Sequence, residues 1–102
     1  VLHVVVTMMV KEGRMEEFQG LCRELRPKVL AEPGCLAYDY TRDLAGPFGG
    51  RGLEPNRVTL LERWESLEAL KVHLTAKHLK ETGARMAELR ASVEVRCTEP
   101  IF

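Results

Sequence analysis

A chain of 102 residues that is 45% hydrophobic fits one globular domain and is too apolar to be disordered. Lys plus Arg and Asp plus Glu each number 15, so the formal net charge is zero, which leaves no electrostatic footprint for nucleic acid or an anionic membrane. No apolar run approaches the roughly 18 residues of a membrane helix. Cys22, Cys35 and Cys97 form no C-x-x-C pair, so they read as three buried, reduced thiols of a cytoplasmic protein.

The opening "VLHVVVTMMV" has no basic region before it and no cleavage signature after it, so it reads as a strand rather than a signal peptide. Leu2, Val4, Val6, Met8 and Val10 lie on one face, and His3, Val5, Thr7 and Met9 on the other. Both faces are largely apolar and want cover, and a partner subunit is a natural source of the second. A helix is expected from about Arg14 to Leu30, with Met15, Phe18, Cys22, Leu25 and Val29 forming an apolar stripe. Pro27 predicts a kink or break near Arg26.

"EPGC", from Glu32 to Cys35, is turn chemistry. "CLAYDYTRD" then alternates as a strand, with Leu36, Tyr38 and Tyr40 sharing a face. The stretch from Leu44 to Asn56, with four glycines and two prolines, reads as a long loop, either a lid over a pocket or a plain hairpin connection. "RVTLLERW" is a third strand. Ser66 is a good N-cap for the helix that follows. Leu67, Leu70, Leu74 and His78 fall on one face of that helix, but an unbroken continuation would put Glu81 and Arg85 there too. A break is therefore expected between Ala76 and Leu79. The last strand, "ASVEVRCTE", points Val93, Val95 and Cys97 in and Glu94 and Arg96 out, and the apolar "PIF" tail is placed against a neighbour.

The order β-α-β-β-α-β predicts an α+β, ferredoxin-like domain over residues 1–102. It has one four-stranded antiparallel sheet with helices on one face. Two such sheets, face to face, would bury the other.

The chain resembles the antibiotic biosynthesis monooxygenase family of the dimeric α+β barrel superfamily. The marks are "VKEGRMEEF" after the first strand, "EPGCLAY" opening the second, and "LLERWESLEALKVHLTAKH" across the third strand and second helix. Glu62, Trp64, His73 and His78 match the family spacing in that last stretch. The resemblance implies a homodimer closing into a barrel, with a pocket in each subunit between sheet and helices. It also implies cofactor-free oxidation of a small phenolic or quinol-type aromatic by O2. The alternatives are a non-oxidative isomerase, a small-molecule-binding member, or a dimer module without catalysis. Haem-degrading relatives carry an Asn where this chain has Val6 and a haem-binding His near Gly83, so haem degradation is not expected. Leu60 replaces an Asn of some polyketide-oxidising members.

Trp64 is a corner hydrophobe or an aromatic wall that stacks on a planar substrate. His78, on the apolar helix face, is a core histidine or the general base. His73 is about 100° round the helix from the leucine stripe, which places it at the sheet edge or a dimer contact, with a catalytic role as the alternative. Tyr38 and Tyr40 are core aromatics or phenol hydrogen-bond partners, and Thr7 joins them as a substrate-contact candidate. His73 and His78 are five apart, which suits neither i,i+3 nor i,i+4 ligation, so no metal is expected.

Overall fold

The computed structural model describes residues 1–50 and 52–102. Arg51, inside the predicted long loop, lies outside the described residues. The elements are β1 (Leu2–Val10), α1 (Met15–Leu30), β2 (Cys35–Arg42), β3 (Arg57–Trp64), α2 (Leu67–Leu74), α3 (Lys77–Leu89) and β4 (Arg90–Thr98). All strand pairs are antiparallel, in the order β2-β3-β1-β4. This is the ferredoxin-like split βαβ arrangement, with the second helix divided in two.

The period-2 alternation of β1 and β3 sets the core. Val4, Val6, Met8 and Val10 of β1 are buried with Val58, Leu60 and Trp64 of β3, against Phe18, Leu21, Cys22, Leu25 and Val29 of α1. Each large apolar side chain fully buried there contributes about 1.5–3 kcal/mol relative to an exposed one. The other face of β1, with Val5, Thr7 and Met9, is only partly covered by neighbouring strands, and Leu61 of β3 is exposed on it.

Several expectations need correction. First, α1 runs unbroken through Pro27. The proline sits in the last turn, so it forfeits one helical hydrogen bond near an end that frays anyway. Arg26 just before it is tied to β2: its Nε donates to the Tyr38 carbonyl at 2.7 Å and its Nη2 to Asp39 at 3.0 Å. Second, Leu36 does not share the Tyr38 face. Cys35 pairs with Trp64 and Ala37 with Arg63, so Leu36 is the extra residue of a bulge and is exposed. Third, the helix break falls at Thr75 and Ala76, slightly earlier than expected, where Thr75 caps α2 and Ala76 opens α3 in an extended conformation. Fourth, Val93, Val95 and Cys97 do lie on the helix-facing side, paired with Met8, Val6 and Val4, but no helix covers them and all three are exposed. The tail residues Ile101 and Phe102 are exposed as well. Of the three thiols expected to be buried, only Cys22 is; Cys35 is half-buried and Cys97 lies on the uncovered β4.

Among its described residues, the loop between β2 and β3 contains a short 3-10 turn, Pro47–Gly49. Asp43 anchors it, accepting from the Glu54 amide at 3.0 Å and from Arg57 at 2.7 Å.

Candidate functional site

The turn after α1 and the start of α2 meet at a close approach. Gly34 has φ +84, and a Cβ there would come within 2.6 Å of the Ala69 Cβ. Its carbonyl accepts from the Glu65 amide at 2.8 Å. Only glycine suits both the backbone and the space. Ser66 accepts from the Ala69 amide at 3.2 Å and fixes where α2 begins. Together they bring Glu32, at the end of α1, against the buried side of α2.

There Glu32 meets two histidines. Its carboxylate accepts from His73 Nδ1 at 2.9 Å and from His78 Nε2 at 2.8 Å, both at the same oxygen. A carboxylate only accepts, so it assigns the proton of His73 to Nδ1. The other ring nitrogen, Nε2, then faces Glu62, whose Oε1 is 4.0 Å away. That oxygen accepts from the indole N–H of Trp64 at 2.8 Å. The Trp64 ring lies over His73, with centroids 4.5 Å apart and planes tilted by 35°. Tyr38 meets His73 edge-on at 5.8 Å and Tyr40 at 5.5 Å.

Burial sets the electrostatics. Glu62 is held above the usual carboxylate range because it is desolvated, although the Trp64 N–H and the His73 ring pull it back. Desolvation also drives the phenols of Tyr38 and Tyr40 well above their ordinary value, so both are neutral donors. The Tyr40 hydroxyl is buried with no hydrogen-bond partner among the described residues, a group left available to a ligand.

A cavity of about 300 Å³ adjoins this cluster, within the range of small-molecule sites. Its walls are mostly apolar: Val4, Val6 and Met8 of β1, Leu25, Leu60, Leu70, Leu79 and Met86. The polar exceptions are Tyr38, Tyr40, Glu62, His73 and Arg90. Val93, Val95 and Cys97 line the β4 side, and their exposure marks the mouth.

The structure thus brings His73, Tyr38 and Tyr40 together at the cavity wall. His78 reaches Glu32 from behind and is not part of the lining; its side chain is 26% exposed. Trp64 is fully buried and faces His73 and Glu62 rather than the cavity. Thr7 lies on the opposite sheet face. The expectation that His73 packs at a sheet edge or dimer contact is corrected: it is 2% exposed and sits in the core. The leucine stripe misled because α2 is a single short helix. Its buried side is Leu70 and His73, three residues apart, while Leu67 and Leu74 are exposed at the margins. Neither Glu32 nor Arg90 carries a sequence signal for a site. Glu62 was visible only as part of the family spacing, and Glu32 only as the first letter of a turn motif.

Comparison with known proteins agrees with this architecture. Residues 1–85 match the antibiotic biosynthesis monooxygenase family. The chain is 28% identical over 74 residues to the "probable quinol monooxygenase YgiN" of Escherichia coli K12, a match covering 72% of this chain and 71% of that protein. A Caulobacter crescentus CB15 structure named for the same family superposes with a TM-score of 0.85 at 29% identity, covering 99% of this chain and 90% of that one. A conserved protein from Methanosarcina mazei Go1 gives 0.85 at 27% identity, covering 96% and 90%. The match runs over most of the sequence and the fold is shared almost end to end, so the chain belongs to the antibiotic biosynthesis monooxygenase family.

Proposed function

We propose that the protein is a cofactor-independent monooxygenase that oxidises a small phenolic or quinol-type aromatic with O2. The observation that carries this reading is the Glu32–His73 pair, in which the carboxylate takes up the Nδ1 side of the ring at the wall of an apolar cavity lined by two tyrosines. A phenol bound there gives its proton to His73 Nε2, and Glu32 stabilises the imidazolium that forms. The phenolate is electron-rich enough to pass one electron to O2. The resulting radical pair joins at a ring carbon to form a hydroperoxide. Loss of water then leaves a carbonyl at that carbon. In sum, phenol plus O2 gives quinone plus water, with one oxygen atom in each product.

The protein supplies position, proton transfer and a water-poor surrounding. Tyr40, with its unpartnered hydroxyl, orients a substrate oxygen. His78 supports Glu32 rather than acting on substrate, because it stands outside the cavity lining. The family name and the YgiN match support the reaction class. The partly covered sheet face with Val5, Met9 and Leu61 suits a second copy of the chain, so a homodimer is part of the proposal. Cytoplasmic placement is another part, suited to three free thiols.

One observation favours a second reading. Glu62 is a buried carboxylate held above its usual range at the cavity wall, which fits proton abstraction beside a carbonyl in an isomerase without oxygen chemistry. Turnover under isotopically labelled O2 separates the two. The monooxygenase incorporates one labelled atom into product and stops under anaerobic conditions. An isomerase runs unchanged without O2.

A further inference from the structure

Arg90 stands apart from the rest of the cavity. It caps α3 and opens β4 at the far end from His73. Its guanidinium is on the core side, where Nη1 meets the Met8 thioether at 3.9 Å. Thioether sulfur is a weak acceptor. Among the described residues no carboxylate pairs with Arg90; Arg23, Arg42, Arg63 and Arg96 also lack one, but Arg90 is the arginine that lines this cavity. A partly buried guanidinium facing apolar walls without a partner is costly, and a ligand carboxylate would relieve it.

Register gives the distance. Glu62 pairs with Val4 on β1, and Arg90 reaches Met8 on the same strand face. Four residues of strand separate those rows, about 13 Å at roughly 3.3 Å per residue. The cavity therefore has a proton-accepting end at His73 and Glu62, apolar walls between, and a cationic end at Arg90.

We propose that the substrate lies lengthwise and is an anion: a two- or three-ring phenol whose hydroxyl meets His73 and whose carboxylate pairs with Arg90. A guanidinium suits that role because it offers two parallel N–H groups to a planar carboxylate. Arg90 is then the residue that selects acidic substrates. This rests on the monooxygenase reading for the orientation of the phenol, but binding tests it without turnover.

The experiment is anaerobic calorimetric titration with a hydroxynaphthoate and a hydroxyanthracene carboxylate, each beside its neutral amide. The wild-type protein is expected to bind at least one acid about tenfold or more tighter than its amide, as a charge-assisted hydrogen bond implies. Arg90→Met should abolish the preference and Arg90→Lys should keep part of it, with melting curves confirming that both fold. Equal affinity for acid and amide in the wild type overturns the proposal, as does failure of both acids to bind. So does a preference that survives Arg90→Met. If Arg90→Met does not fold, the wild-type comparison and Arg90→Lys decide. A confirmed preference with no O2 uptake leaves the Arg90 assignment standing and removes the monooxygenase reading. O2 uptake with neutral phenols alone does the reverse.

Discussion

Replacing Glu32 by Gln tests the geometry at its centre. The carboxylate is 9% exposed and accepts two N–H bonds at one oxygen. Gln with its oxygen at that shared position keeps both bonds but loses the charge and sets its N–H group where the second carboxylate oxygen lies 3.2 Å from His73 Nδ1. Unless an imidazole changes tautomer, one contact becomes donor against donor. A charge-assisted bond is worth about 1.5–3 kcal/mol. Burying a neutral amide instead of a charge recovers some of that. The net loss should therefore be about 1–2 kcal/mol. For a domain near this size that lowers the melting temperature by about 5–15 °C. Calorimetry reads the shift. Long-range proton–nitrogen NMR reads the tautomer, which should be Nδ1–H for His73 in the wild type and should move toward Nε2–H in the variant. A His73 tautomer that is the same in both proteins, with a melting temperature essentially unchanged, would refute the claim that Glu32 sets the base.

Three further outcomes are expected. Glu62 is held above its ordinary range in the folded state. The native protein therefore takes up a proton there before the unfolded chain does, and Glu62 opposes folding most above its folded pKa. Glu62→Gln should match or exceed wild-type stability at neutral pH, and that advantage should shrink as pH falls through the folded pKa toward the ordinary carboxylate value; pH-dependent denaturant melts show it. Gly34→Ala should cost about 2 kcal/mol or more in the same melts, combining a left-handed backbone with a Cβ 2.6 Å from Ala69. Burial pushes the Cys22 thiol up to about 12, so a thiol reagent at mildly alkaline pH should label exposed Cys97 at once and leave Cys22 untouched until the protein unfolds.

Strands with one buried face were legible because alternation is a local signal. β3 was read from Arg57 to Trp64, and those are its bounds. The helix break was legible from charge: Glu81 and Arg85 could not share a face with the leucines of α2. Pro27 misled because a proline in the last turn costs little. β4 misled because alternation tells which residues share a face and not whether anything covers that face. The site was the least legible part. Glu32 is 41 residues from His73 and 46 from His78, and nothing local to a turn glutamate announces two distant imidazoles. The leucine stripe points to the wrong side for His73 because α2 is too short for its stripe to decide which side is buried. Only the packing of Trp64 over the ring settles which side faces in.

His73, set by Glu32, is proposed to make this cavity an O2-consuming site. The most direct test is O2 uptake by the purified protein with a panel of quinols and polycyclic phenols, wild type against His73→Ala. Uptake above the spontaneous rate is expected for at least one phenol, falling roughly 100-fold or more in His73→Ala, as loss of a general base implies. Uptake that His73→Ala leaves unchanged would contradict the proposal, and so would protein that never exceeds the spontaneous rate.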